Sequence, residues 1–251
     1  MILRPGKTPG GAEVALVLRH VVKAIRAHWP RVEILIRGDS HYARPEAMTW
    51  CEQNRVGYIL GLAGNPVLAA RVATLAEDAA LSRVAGAAEK VRRFGEFRYA
   101  AKSWQVERKV VARVEASSHG SDSRFIVTNL KGAPRWLYES VYCARGQAEN
   151  LIKAHKLHLA SDRTSCTHAR ANQFRLLIHT AAYWLLHTLR GLAPTISFWR
   201  DAQFDTIRLA LIKVAARVTE MKTRIKVALP TCYPHQQSWV LLAGRAAKLP
   251  P

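Results

Sequence analysis

Val32-Glu33-Ile34-Leu35-Ile36 runs into Arg37-Gly38-Asp39-Ser40, and the reading of this stretch decides the fold. Five mostly apolar residues ended by turn-forming ones make a short strand. Upstream, Val14, Val17, Leu18, Val21, Val22 and Ile25 recur at helical spacing between Glu13 and His28, and Pro30 stops the pattern. Downstream, Arg44 to Asn54 returns to helical spacing and Val56 to Leu62 to an apolar strand. Helix, strand, helix, strand in that order predicts an α/β fold, with a parallel or mixed sheet carrying helices. Asp39 then falls just past the carboxyl end of a strand, where such sheets place ligands.

The character changes after Asn65-Pro66. Val67 to Leu81 is Ala-rich and helical, and Phe94 to Val114 alternates in the manner of two or three antiparallel strands. Ser117 to Ser123 reads as a turn or exposed loop, and Phe125 to Asn129 as another strand. In this β-rich block Lys102, Trp104, Arg108 and Lys109 mix cations with an aromatic ring, which suits a DNA backbone. An ordinary meander with a solvated face explains them equally well.

Pro134 opens a long helix, and Ser161 to Cys166 is a polar connection. Ala169 to Leu192 reads as an apolar core helix, with His179 and His187 as satisfied core histidines. Phe204 to Ala216 is amphipathic, Val214 to Thr219 pairs with Thr223 to Leu229 as a hairpin, and Pro234 to Lys248 closes the chain with a helix.

The chain has 251 residues, enough for one large domain or two small ones, and its apolar fraction of 49% supports a sizeable core. Against 18 Asp and Glu stand 38 Lys and Arg, a net charge of +20 spread along the chain. A folded basic surface attracts polyanions, of which nucleic acid is the commonest. A ribosome-type accessory protein, or a GC-rich genome favouring Arg and Ala, would give a similar balance.

Cys51, Cys143, Cys166 and Cys232 form no C-x-x-C pair, so free thiols in a reducing compartment are expected. No secretory signal opens the chain. Leu176 to Ala193 is interrupted by His179, His187 and Arg190, so it reads as a buried helix and not a membrane span. His155 and His158 stand at i,i+3 without a third zinc ligand, which leaves them on a partly exposed helix face. Ser118, Ser121 and Ser123 lie near His119, but nothing orders them as nucleophile and base. No Gly-rich phosphate loop is present.

Tyr142, Arg145, Glu149 and Lys156 give the spacing Y-x2-R-x3-E-x6-K. On a uniform α-helix they fall within an arc of roughly 60°. That sets a phenol, a guanidinium, a carboxylate and an ammonium on one face. A solvated stripe with an Arg–Glu pair at i,i+4 is the plain reading. The other pairs Glu149 with Asp39 as hard oxygen ligands for Mg²⁺. Two such ions would serve an in-line phosphoryl displacement, and such a site needs a third carboxylate.

These residues resemble a known family. Arg37-Gly38-Asp39-Ser40 with His41-Tyr42-Ala43, the Tyr142-to-Lys156 spacing, and Asp162-Arg163-Thr164-Ser165 are similar to the DDE transposases of bacterial insertion sequences. The group indicated is the thirteen-eighty family of the Tyr-Arg-Glu-Lys class, within transposase DDE domain group 1. Trp50-Cys51-Glu52, Tyr58-Ile59-Leu60-Gly61-Leu62 and Ala171-Asn172-Gln173-Phe174-Arg175 also look like that group.

The resemblance implies an RNase H-like catalytic core with a β-rich insertion before the Glu-bearing helix and a helical C-terminal part. The implied division is a partial core over 1–66, the insertion over 67–133, and the helical region over 134–251. It also implies Mg²⁺-dependent cleavage and strand transfer at insertion-sequence ends. The partners would be terminal inverted repeats, target DNA and a homo-oligomeric synaptic complex, in the bacterial cytoplasm at the nucleoid and away from membranes. Asp39 and Glu149 would be the catalytic metal ligands, and Tyr142, Arg145 and Lys156 would contact DNA.

One departure matters. No Asp precedes Asp39, and Leu3-Arg4-Pro5-Gly6 resembles the segment after the strand that should carry the first catalytic Asp. The expectation is a core incomplete at its N-terminus, from a truncated transposase inactive alone. A non-catalytic DNA-binding remnant and an RNase H-like nuclease are the alternatives.

Overall fold

The computed structural model describes residues 3, 4, 6, 8–86 and 89–249. Pro5 lies outside them, so the segment from Leu3 to Gly6 is only partly described, and Leu3 and Arg4 are not in a strand. The chain divides into two compact units, Gly6–Gln147, and Met1–Pro5 with Ala148–Pro251.

The first unit begins with α1 (Gly11–His28), β1 (Leu35–Gly38), a 3₁₀ turn at Ser40–Tyr42, α2 (Pro45–Gln53) and β2 (Gly57–Leu62). This is the helix–strand alternation expected, with β1 starting three residues later than the apolar run. The Val32 N–H is bonded to the Trp29 carbonyl at 3.2 Å, closing a turn around Pro30, so the chain extends only after it. β1 and β2 pair in parallel, from Leu35 opposite Gly57 to Gly38 opposite Leu60.

The segment after Asn65 is two helices, α3 (Pro66–Arg71) and α4 (Ala73–Ala85), separated at Val72. Asn65 starts the first by accepting the Leu68 N–H at 2.9 Å. Then follow β3 (Lys90–Tyr99), β4 (Arg108–Ser117) and β5 (Gly120–Thr128), an antiparallel meander. β5 also pairs antiparallel with β2, so all five strands form one mixed sheet in the order β1-β2-β5-β4-β3. The stretch expected as a loop over Ser117 to Ser123 is a two-residue link. Ser117 pairs with Gly120, whose φ of 107° a side chain would resist, and Ser121 to Ser123 already belong to β5.

Alternation along the strands makes two cores. Tyr58, Leu60, Val110, Ala112, Val114, Phe125 and Val127 face one side with Met48, Cys51 and Leu68. Ile59, Val111 and Ile126 face the other, under Leu137, Tyr138 and Val141. Trp104 and Arg108, offered above as DNA contacts, are 9% and 3% exposed and face inward. Arg108 is held by both oxygens of Glu52 at 2.8 and 3.0 Å and by the Thr49 hydroxyl at 3.0 Å. Trp104 lies under its guanidinium, 5.5 Å away. A buried guanidinium needs a carboxylate, and Glu52 on α2 supplies it through Nε and Nη2, while Nη1 is buried without a hydrogen-bond partner among the described residues.

From Pro134 to His158 the chain is helical, but its hydrogen bonding changes along the way. α5 (Pro134–Trp136) passes to a π turn at Leu137–Tyr142, a 3₁₀ turn at Cys143–Arg145, α6 (Gly146–Lys153) and a second π turn at Ala154–His158.

The second unit continues with α7 (Ala169–Gly191), α8 (Phe198–Asp201), α9 (Phe204–Ile207) with a π turn to Ile212, β6 (Arg217–Glu220), β7 (Ile225–Ala228) and α10 (Gln236–Ala246). Its core gathers Leu186, Ala193, Trp199, Phe204, Ile207, Leu211 and Leu242. The Trp239 indole N–H donates to the Leu211 carbonyl at 3.0 Å, tying α10 down. α7 was expected to be buried throughout, yet Leu186 is its one buried residue, and Phe174, Leu177, Ile178, Trp184 and Leu185 are exposed. The core is small, and a helix apolar all round can present only one side to it. No helix among the described residues is long and apolar enough to cross a membrane.

Candidate functional site

Asp39 sits where the sequence placed it, directly after β1 and half-buried. Its Oδ1 accepts the His41 N–H at 2.9 Å, so the carboxylate caps the 3₁₀ turn that redirects the chain towards α2. A carboxylate has acceptor sites on both oxygens, and this one bond does not exhaust them.

The neighbouring strand brings a second expected residue to the same place. A Cβ built on Gly61 of β2 would lie 2.8 Å from the Tyr142 phenol oxygen, 3.0 Å from the Ser40 nitrogen and 3.3 Å from the Asp39 carbonyl carbon. All three atoms therefore surround one point, and the phenol of Tyr142 stands against the Asp39–Ser40 turn. Tyr142 reaches it from the end of the π turn, with its ring 5.6 Å from that of Tyr138. The Arg145 guanidinium lies 5.9 Å from the Tyr142 ring centroid. Asp39 and Tyr142 thus meet at Gly61 in the first unit, with Arg145 beside the Tyr142 ring.

Sequence reading missed Gly61 as a site residue. The signal was available, since a glycine inside the apolar run Tyr58-Ile59-Leu60-Gly61-Leu62 marks a strand that another group approaches closely.

The two remaining expected residues belong to the second unit. Glu149 is exposed on α6, and Lys156 is exposed on the π turn that follows. The division between the units falls inside α6, at Gln147–Ala148. The uniform helix assumed for the four-residue stripe is not what forms. Three 3₁₀ residues advance by about 120° each, and the π turns advance by less than the α step.

His155 departs from expectation as well. It is 7% exposed, and its Nδ1 lies 2.6 Å from the Ser161 hydroxyl. Thr180 donates its hydroxyl to the Leu176 carbonyl, so towards His155 it acts as acceptor for Nε2–H at 3.4 Å. This network assigns the proton to Nε2 and makes Ser161 the donor to Nδ1. Burial, with His179 nearby, holds the ring below the ordinary histidine pKa and therefore neutral at pH 7. His155 fastens the turn at Ala160, whose φ is 54°, and does not present itself to a ligand.

In kind, Asp39 and Glu149 are suitable for a hard divalent cation. In number they fall short, with one carboxylate from each unit. Among the described residues no group of three or more His, Cys, Asp or Glu forms a metal-binding cluster. All four cysteines are free thiols. Burial pushes that of Cys51 up to about 11, which makes it a packing residue and not a nucleophile.

A family model described as transposase DDE domain group 1 matches residues 1–251. Among curated proteins none matches the chain.

Proposed function

Because the chain belongs to the transposase DDE domain group 1 family, we propose that it acts in DNA transposition by binding and cutting DNA at insertion-sequence ends. The match over the whole chain carries this reading. The placement of Asp39 after a parallel strand, with Tyr142 against its turn, supports it. In this reading the mixed sheet is part of an RNase H-like core. The spacing from Tyr142 to Lys156 supports membership of the thirteen-eighty group. Residues 1–66, 67–133 and 134–251 act as partial core, insertion and Glu-bearing region.

Asp39 and Glu149 are the proposed Mg²⁺ ligands, and Tyr142, Arg145 and Lys156 the proposed DNA contacts near the cut. Two carboxylates do not complete a two-metal site. A third carboxylate is needed, and a strand added beside β1 is the proposed position for it. β1 is an edge strand, paired only with β2 among the described residues. Working copies assemble as homo-oligomers on DNA in the bacterial cytoplasm.

The test is an assay of DNA ends in Mg²⁺. The chain as given should bind duplex DNA without cutting it. Cleavage and joining should appear once an aspartate-bearing strand is joined ahead of residue 1, and Asp39→Asn or Glu149→Gln should abolish both. Full activity in Glu149→Gln would remove Glu149 from the reaction. Binding that never leads to cleavage, whatever is joined, would leave a DNA-binding remnant.

A further inference from the structure

β6 and β7 stand apart from the rest of the second unit. Among the described residues they pair only with each other, and every residue from Arg217 to Ala228 is exposed. An isolated two-stranded ribbon is marginal in water unless something packs on it. What could pack on it follows from its register. Arg217 is opposite Ala228, Val218 opposite Val227, Thr219 opposite Lys226 and Glu220 opposite Ile225. Met221 and Arg224 exchange backbone bonds of 2.9 and 3.4 Å, closing the ribbon over the link Lys222-Thr223.

Opposed residues share a face and successive ones alternate. One face therefore carries Arg217, Thr219, Met221, Arg224, Lys226 and Ala228. The other carries Val218, Glu220, Ile225 and Val227. Three cations lie on the first face with no carboxylate among them, and Lys222 adds a fourth at the tip. The single acid of the ribbon, Glu220, points the opposite way. At about 3.3 Å per residue the arm extends roughly 17 Å from Arg217 to Lys222 at its tip.

We propose that this ribbon is a DNA-binding arm, separate from the residues assigned to the cut. Its cationic face meets the phosphates that border the major groove. A groove about 12 Å wide admits a two-stranded ribbon, and Arg and Lys on one face match the charge of the backbone at its rim. The occupant is duplex DNA, an assignment that rests on the transposition reading above. The contacts are with phosphates, so the arm adds affinity and register without choosing sequence.

Salt dependence tests this directly. Each phosphate contact contributes about 0.9 to the slope of log K against log salt. The triple variant Arg217→Gln, Arg224→Gln, Lys226→Gln should lower the steepness of the whole chain's slope on an arbitrary duplex by about 2.7. Its circular dichroism and thermal midpoint should match the parent, because all three side chains are exposed. The apolar-face variant Val218→Thr, Ile225→Thr should keep the parent's slope. An unchanged slope in the triple variant overturns the arm while the function reading stands. An equal loss of slope in the apolar-face variant also overturns it, since the ribbon would then matter only as a fold element. If the triple variant keeps its slope but changes the sedimentation of the free chain, the face belongs to a protein contact and the arm is wrong. If the parent itself fails to bind duplex, the function reading fails and the arm with it.

Discussion

Gly61 shows how one residue type makes a site possible. The tyrosine hydroxyl and the backbone of the Asp39 turn occupy the space a side chain would take. Ser40 and Asp39 contribute backbone atoms there, which cannot swing away. Gly61→Ala should therefore destabilise the first unit by about 1–3 kcal/mol, the usual range for inserting a methyl into filled space. Urea unfolding would measure it. Tyr142→Phe removes the nearest obstructing atom, so the double variant should recover part of the loss, seen as coupling in a double-mutant cycle. Strict additivity would mean that the backbone of the turn, and not the phenol, sets the limit. Asp39 carries two roles at this scale. Its capping bond is the ordinary turn function that a lone Asp after a strand would suggest, and the proposed metal role is additional to it.

Among the elements, β3 and β4 depend on ion pairs that titrate. Arg92 and Lys90 on β3 bond to Glu115 on β4 at 2.7 and 3.0 Å, and hold its carboxyl down at about 2. Glu52 on α2 is pushed up by burial, but its bonds from Arg108 and Tyr58 prevail and leave it below the ordinary value. Both folded pKa values are depressed against an unfolded value of about 4.3. The stabilisation is therefore complete above that value and is lost as pH falls through it towards the folded pKa. Thermal midpoints should drop between about pH 5 and about pH 2, and Glu115→Gln should be less stable at neutral pH with a flatter profile. A parent midpoint constant over that range would show that these pairs do not support the sheet. Glu52→Gln has a sharper consequence. It leaves Arg108 buried without its counter-ion, a loss of about 3–5 kcal/mol by the measure of other broken buried pairs.

Taken whole, the molecule is basic in both units. The second is the more one-sided, with Glu149, Asp162, Asp201, Asp205 and Glu220 its only acids. Such a chain should bind arbitrary duplex DNA at low salt and lose affinity steeply, by orders of magnitude between about 50 and about 200 mM for six or more phosphate contacts. Fluorescence anisotropy across that range would measure it, and a flat response would contradict the reading of the charge as a nucleic-acid surface. This sets the background against which the loss of the ribbon's three cations is read.

The sequence by itself determined the α/β class, the position of nearly every helix and strand, the pairing of β6 with β7 and the location of Asp39 at a strand end. Those features follow from local periodicity and turn chemistry, which act over a few residues. The tertiary structure alone decided which cations are available and which aromatic meets which turn. Arg108 reads as a DNA contact until Glu52, 56 positions away in the chain, is seen to bury it. His155 reads as exposed until Ser161 and Thr180 close over it. In each case the deciding partner comes from a contact that periodicity does not encode, because burial and charge pairing are settled between elements and not within them.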